Sequence, residues 1–175
     1  MRKKGILLPK NKEVERFDVF HIDSEKQFKD FALEIFRYQA ENCMVYREFL
    51  NHLKIEIHKI DELEKIPFLP IEFFYSHDVL STERKVEQIF LCSGTTVCDQ
   101  SRHLVTDLSR YRESFTRGFE RFYDKIEGYV VLGLLPNYLE RSGSSLVYMV
   151  QDLIERSPYP ESGFYLHNLK ALSNS

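Results

Sequence analysis

Apolar residues recur along this chain first with a helical period and later in short blocks that alternate with helical stretches. From Ser24 onward Phe28, Phe31, Ala32, Ile35 and Phe36 follow the spacing that lines one helix face, and Ser24 with Gln27 forms a capping box. Val45, Tyr46, Phe49, Leu50 and Leu53 repeat the pattern from about Asn42, so the first 60 residues predict a pair of helices. Residues 1–23 have scattered charges and weak periodicity, with Phe17, Val19 and Ile22 spaced along them, and read as an arm or short strand. Pro67 and Pro70 then interrupt any helix, because each fixes φ and lacks an N–H. The run Ile66-Pro67-Phe68-Leu69-Pro70-Ile71 is too apolar for a free linker and is expected to cross the core as irregular chain.

Beyond this run the period changes. Val86 to Leu91 predicts a buried strand, Ser93-Gly94-Thr95-Thr96 a turn, and Ser101 to Val105 a return strand. Asp107 caps a helix with the apolar face Leu108, Tyr111, Phe115, Phe119 and Phe122. Tyr129 to Leu135 reads as a second buried strand ended by Pro136. Ser144 or Ser145 caps a helix carrying Leu146, Met149, Val150, Leu153 and Ile154, and Phe164 to Leu166 opens a third strand. Strand and helix alternating in this way predict an α/β fold: an N-terminal helical layer plus a mixed β-sheet with crossover helices. The length, 175 residues, fits one domain over 1–175.

Composition narrows the function classes. Lys and Arg number 24 against 27 Asp and Glu, a net charge of -3, so no overall field attracts nucleic acid and no nucleic-acid partner is expected. Fourteen Phe and ten Tyr supply ample core area, which excludes disorder for most of the length. The opening Arg2-Lys3-Lys4 precedes only Ile6-Leu7-Leu8 before Pro9, too short for a signal peptide. No stretch approaches the ~18–20 apolar residues of a membrane span. Cys43, Cys92 and Cys98 are too few for a disulfide framework, and a reducing, cytoplasmic setting is expected.

Candidate chemistry gathers at two loops. Ser93-Gly94-Thr95-Thr96 follows a strand and offers three hydroxyls, with Gly94 permitting close backbone approach; consecutive N–H groups there could cradle a phosphate. The same residues also make an ordinary hairpin turn. Arg102 and His103 follow on the return strand, where a cation could face the phosphates. A second anion loop is Arg141, Gly143, Ser144 and Ser145, between a strand end and a helix N-terminus, where plain capping is the competing reading. Neither a Walker Gly-Lys-Ser/Thr ending nor Gly-x-Gly-x-x-Gly occurs. Cys92, Cys98 and His103 lack the spacing and the fourth ligand of a zinc site, so no metal ligands are assigned. Arg110, Arg117 and Arg121, interleaved with Glu113, Glu120 and Asp124, read as a solvated helix face.

Ile66-Pro67-Phe68-Leu69-Pro70-Ile71-Glu72-Phe73-Phe74, Ser93-Gly94-Thr95-Thr96, Ser101-Arg102-His103 and Leu135-Pro136-Asn137-Tyr138-Leu139-Glu140-Arg141-Ser142-Gly143-Ser144-Ser145-Leu146-Val147-Tyr148-Met149, in that order, resemble the acyl-protein synthetase (LuxE-like) family. The resemblance spans about residues 24–166. That family is similar to the wider adenylate-forming acyl ligases, including phenylacetate-CoA ligases, whose Ser-Gly-Thr-Thr-Gly loop holds ATP phosphates. It implies part of their large N-terminal domain, ATP and Mg2+ as cofactors, and a fatty or other carboxylic acid activated as its acyl-adenylate for an acyl-accepting protein or carrier thiol. Ser93, Gly94, Thr95 and Thr96 would bind phosphate, with Arg102 and His103 in support; no catalytic residue is assigned. Val97 stands where the wider family usually has a second glycine. Family members continue through an adenine-binding segment and a mobile C-terminal portion, so the chain is expected to be the N-terminal portion of a longer enzyme, inactive alone if truncated. Alternatives are a non-catalytic relative serving as a binding or dimerisation module, and a fragment of an acyl-CoA ligase. A homo-oligomer, or a missing C-terminal half, would cover the apolar surface such a piece exposes.

Overall fold

The computed structural model describes residues 19–92, 100–136, 143–166 and 168. The chain falls into two compact units: the first ends at Leu69 and also takes in Leu80–Glu83, and the second consists of Pro70–Val79 and the chain from Arg84 onward.

The first unit is helical. After a 3-10 turn at Val19–His21, where an arm or strand was expected, Ser24 caps α1 (Glu25–Asn42) by accepting from the Gln27 amide at 3.3 Å. Gln27 Oε1 in turn accepts from the Asp23 amide at 2.9 Å, so the box closes one residue earlier than its usual form. A cap of this kind stabilises by about 1 kcal/mol. Cys43 ends α1 and starts α2 (Met44–His52), and this junction turns the chain without a loop. Leu33, Phe36, Ala40, Cys43, Tyr46, Leu50 and Ile60 are buried, with Phe36 and Tyr46 meeting edge to face. The buried stripe of α1 is thus turned from the sequence expectation, and Phe28 lies 53% exposed. Tyr46 donates its hydroxyl to the Pro67 carbonyl at 2.6 Å, and Tyr38 donates to that of Ser81 at 2.9 Å. The run from Ile66 does not cross a core as irregular chain: Phe68 is 81% exposed, and Ile71 is exposed as well.

In the second unit, α3 (Phe73–Ser76) packs on a hairpin of β1 (Gln88–Leu91) and β2 (Arg102–Val105), paired antiparallel with Gln88 opposite Val105 and Leu91 opposite Arg102. Asp107 then caps α4 (Leu108–Tyr123) as expected, accepting from the Arg110 amide at 3.2 Å. After the 3-10 turn Ile126–Gly128 come β3 (Leu132–Gly133), α5 (Ser145–Arg156) and β4 (Gly163–Phe164). β3 and β4 pair in parallel, so α5 is a crossover helix. The α/β character stands, but among the described residues the strands form two separate two-stranded sheets, one antiparallel and one parallel, where a single mixed sheet was expected.

The core of this unit joins α4, α5 and the turn before β3. Phe115, Ile126 and Leu153 are buried, with Tyr111, Phe119, Val131, Tyr148 and Met149 packed against them. Phe122, assigned by spacing to the same face of α4, is 79% exposed. The expected buried strand 129–135 is short and half wet: Gly133 is buried, while Tyr129, Val130, Leu132 and Leu134 are exposed. Gly133 packs closely, since a Cβ there would come 3.0 Å from Phe164 Cδ1 and 3.3 Å from Val150 Cγ1, so those side chains would have to give way.

Candidate functional site

The loop end of the β1–β2 hairpin, marked by Leu91 and Arg102, lies beside Gly143 of the second loop that the sequence assigned to anion binding. The Leu91 amide donates to the Gly143 carbonyl at 2.8 Å rather than across to β2, and the Cys92 amide donates to Ser101 at 3.0 Å. Leu91 is therefore flanked by Arg102, its strand partner, and by Gly143, which leads into α5. Glycine at 143 leaves room for Leu91, since a Cβ would fall 2.9 Å from Leu91 Cδ1 and 3.1 Å from its Cγ and push that side chain aside. The two loops singled out from sequence thus start from one place: residues 93–96 follow Cys92 directly, and the α5 N-terminus follows Gly143.

Ser93, Gly94, Thr95, Thr96 and Arg141 lie outside the described residues. Gly143, Ser144, Arg102 and His103 are placed. Ser144 accepts from the Val147 amide at 3.3 Å, so its hydroxyl serves as the helix cap, the competing reading of that loop. Ser145, whose side chain is exposed, accepts at its carbonyl from the Tyr111 hydroxyl at 3.0 Å. Burial raises the pKa of that phenol. Arg102 Nη1 lies 3.2 Å from Asp78 Oδ1, and the His103 ring stacks on Phe74 with centroids 6.4 Å apart.

Behind this end, α4 and α5 are locked by charge. Asp152, 8% exposed, receives Arg112 Nε at 2.6 Å and lies 3.6 Å from Arg156 Nη1. Arg112 also donates to the Tyr148 hydroxyl at 3.3 Å, and Arg156 to Thr116 Oγ1 at 2.8 Å. The Asp152 carboxylate beside it raises the Arg112 pKa. Phe90 of β1 packs on Tyr111 and Tyr148, so Tyr148, which accepts from Arg112, also helps to seat the hairpin. Sequence reading missed both Asp152 and Asp78. The available signal for Asp152 was an acid set among Met149, Val150 and Leu153, four residues after Tyr148 and four before Arg156.

No protein-family model matches this chain, and no solved structure matches it. Over 74 residues it is 31% identical to a long-chain-fatty-acid–luciferin-component ligase of Photorhabdus luminescens. The aligned region covers 42% of this chain and 63% of that relative. The sequence expectation of a relation to fatty-acid ligases is thereby supported. Among the described residues no helix is long and apolar enough to cross a membrane, and no group of three or more His, Cys, Asp or Glu could hold a metal ion. A groove of about 500 Å³ in the first unit, lined by residues such as Ile22, Phe28, Lys29 and Leu63, holds none of the assigned residues.

Proposed function

We propose that this chain takes part in ATP-dependent activation of a carboxylic acid, a fatty acid foremost, for transfer to a protein or carrier thiol. The observation that carries the reading is the Leu91–Gly143 bond, which starts the Ser93–Thr96 loop and the α5 N-terminus from one end of the second unit. The fatty-acid ligase similarity supports the acid as substrate, and the motif resemblance supports the adenylate-forming route.

In such a reaction a carboxylate oxygen bonds to the α-phosphorus of ATP as the bond to pyrophosphate breaks, and a thiol then takes the acyl group as AMP leaves. The contribution of the chain is positioning and fixed charge. Amides and hydroxyls of residues 93–96 would hold phosphate oxygens, and Arg102 would supply a guanidinium on the neighbouring strand. The α5 N-terminus would add a positive dipole end. Among the described residues there is no cage of carboxylates. Magnesium carried on the triphosphate would offset phosphate charge there.

Calorimetric titration of the chain with ATP is expected to show binding that Thr95→Ala weakens. Equal affinity in variant and parent rejects the site. Pyrophosphate release that needs both a fatty acid and ATP identifies a ligase; binding without release under any condition identifies a non-catalytic module.

A further inference from the structure

Both basic side chains described at the candidate site are engaged by one segment of the same unit, Pro70–Val79. Asp78 Oδ1 sits 3.2 Å from Arg102 Nη1, and Phe74 of α3 lies nearly parallel to the His103 ring, at 22°. A carboxylate on a guanidinium presents what a phosphate presents, oxygen acceptors carrying negative charge. Asp78 thus stands as an internal anion on the cation that the phosphate reading needs. The pair is half in water, with Arg102 45% and Asp78 57% exposed, so it is weak enough to be exchanged for a ligand.

We propose that Pro70–Val79 is an autoinhibitory latch: Asp78 occupies Arg102 while the site is empty, and an incoming polyphosphate displaces it. This rests on the reading of Arg102 as a phosphate-binding residue. The ligand gains the guanidinium only by releasing the carboxylate, so Asp78 lowers the affinity for anions and couples their arrival to a movement of the α3 segment. Phe74 on His103 keeps the segment near β2 when the ion pair opens.

The test titrates the whole chain with inorganic tripolyphosphate, and in parallel with ATP, at low ionic strength. Arg102→Ala should weaken binding, and Asp78→Asn should tighten it by roughly two- to fivefold, the range set by an exposed pair. The gain should vanish in the Asp78→Asn/Arg102→Ala double variant. Glu72→Gln, which removes an equal charge from the same segment, should leave affinity unchanged. Amide hydrogen exchange across residues 70–79 should quicken both on adding tripolyphosphate to the parent and in Asp78→Asn without ligand.

Three results overturn the latch while leaving the phosphate site standing: Asp78→Asn binding like the parent while Arg102→Ala binds less well, a gain that persists without Arg102, or Glu72→Gln matching Asp78→Asn. Absence of tripolyphosphate and ATP binding in the parent and in Asp78→Asn overturns the phosphate site and the latch together. Binding that appears only in Asp78→Asn supports the latch in its strongest form.

Discussion

Tyr46 is held between burial and one strong hydrogen bond. Its phenol is pushed up to about 12, first by burial and then by the neighbouring Cys43, and its hydroxyl donates to Pro67. A folded pKa above the ordinary ~10 means that the phenol's contribution is whole below pH ~10 and is lost as pH rises toward 12. Tyr46→Phe is expected to lower stability at neutral pH by about 1 kcal/mol, because the Pro67 carbonyl loses its donor. It should also remove part of the alkaline fall. Urea unfolding followed by circular dichroism from pH 7 to 11 reads both effects, and parallel curves for parent and variant above pH 10 would refute the assignment. Asp107 acts at the other end of the scale. Its carboxyl is lowered mainly by the hydrogen bond from the Ser109 hydroxyl, with the Arg110 amide adding to it, so its share of stability is present at neutral pH and is lost in acid as the carboxylate takes up its proton.

At the level of elements, the seam between β1 and the start of α5 depends on the bare backbone of Gly143. Gly143→Ala should push the Leu91 side chain aside and strain the 2.8 Å bond between them. Leu91 is 39% exposed and can turn away, so a cost of about 1 kcal/mol is expected, read as a fall of ~2–4 °C in Tm. An unchanged Tm would mean that the seam does not bear on stability. Elements whose signals are local were legible in the sequence: Ser24, Asp107 and Ser144 each cap the helix expected of them, and the hairpin follows the expected strands. What failed was orientation. Spacing shows that a helix has an apolar stripe but not which part of it meets a neighbour, and Phe28 and Phe122 face water. The run Tyr129–Leu135 has the apolar character of a buried strand, yet only its middle finds a partner, because β4 supplies just two paired residues. In the candidate site Arg102 was visible as a cation near a polar loop, whereas its link to Asp78 joins residues far apart in sequence and leaves no periodic trace. Nor does an acid on an apolar helix face reveal that Arg112, one helix earlier, will meet it.

For the molecule as a whole, the path of the chain matters more than any single contact. It passes from the first unit to the second after Leu69, back after Val79 and out again after Glu83. The short return is tied to α1 through Tyr38 and Ser81. A protease that nicks the backbone at any one of these borders therefore cannot free two intact halves: a cut after Leu69 or Glu83 leaves one fragment carrying a strip of the other unit, and a cut after Val79 leaves both fragments so. Clipped protein should co-elute as a noncovalent pair on gel filtration and come apart only in denaturant; fragments that separate in buffer would show that the strips do not hold. The decade of residues bearing Asp78 is joined at both ends to chain of the other unit, so a cut at one border leaves it tethered through the other.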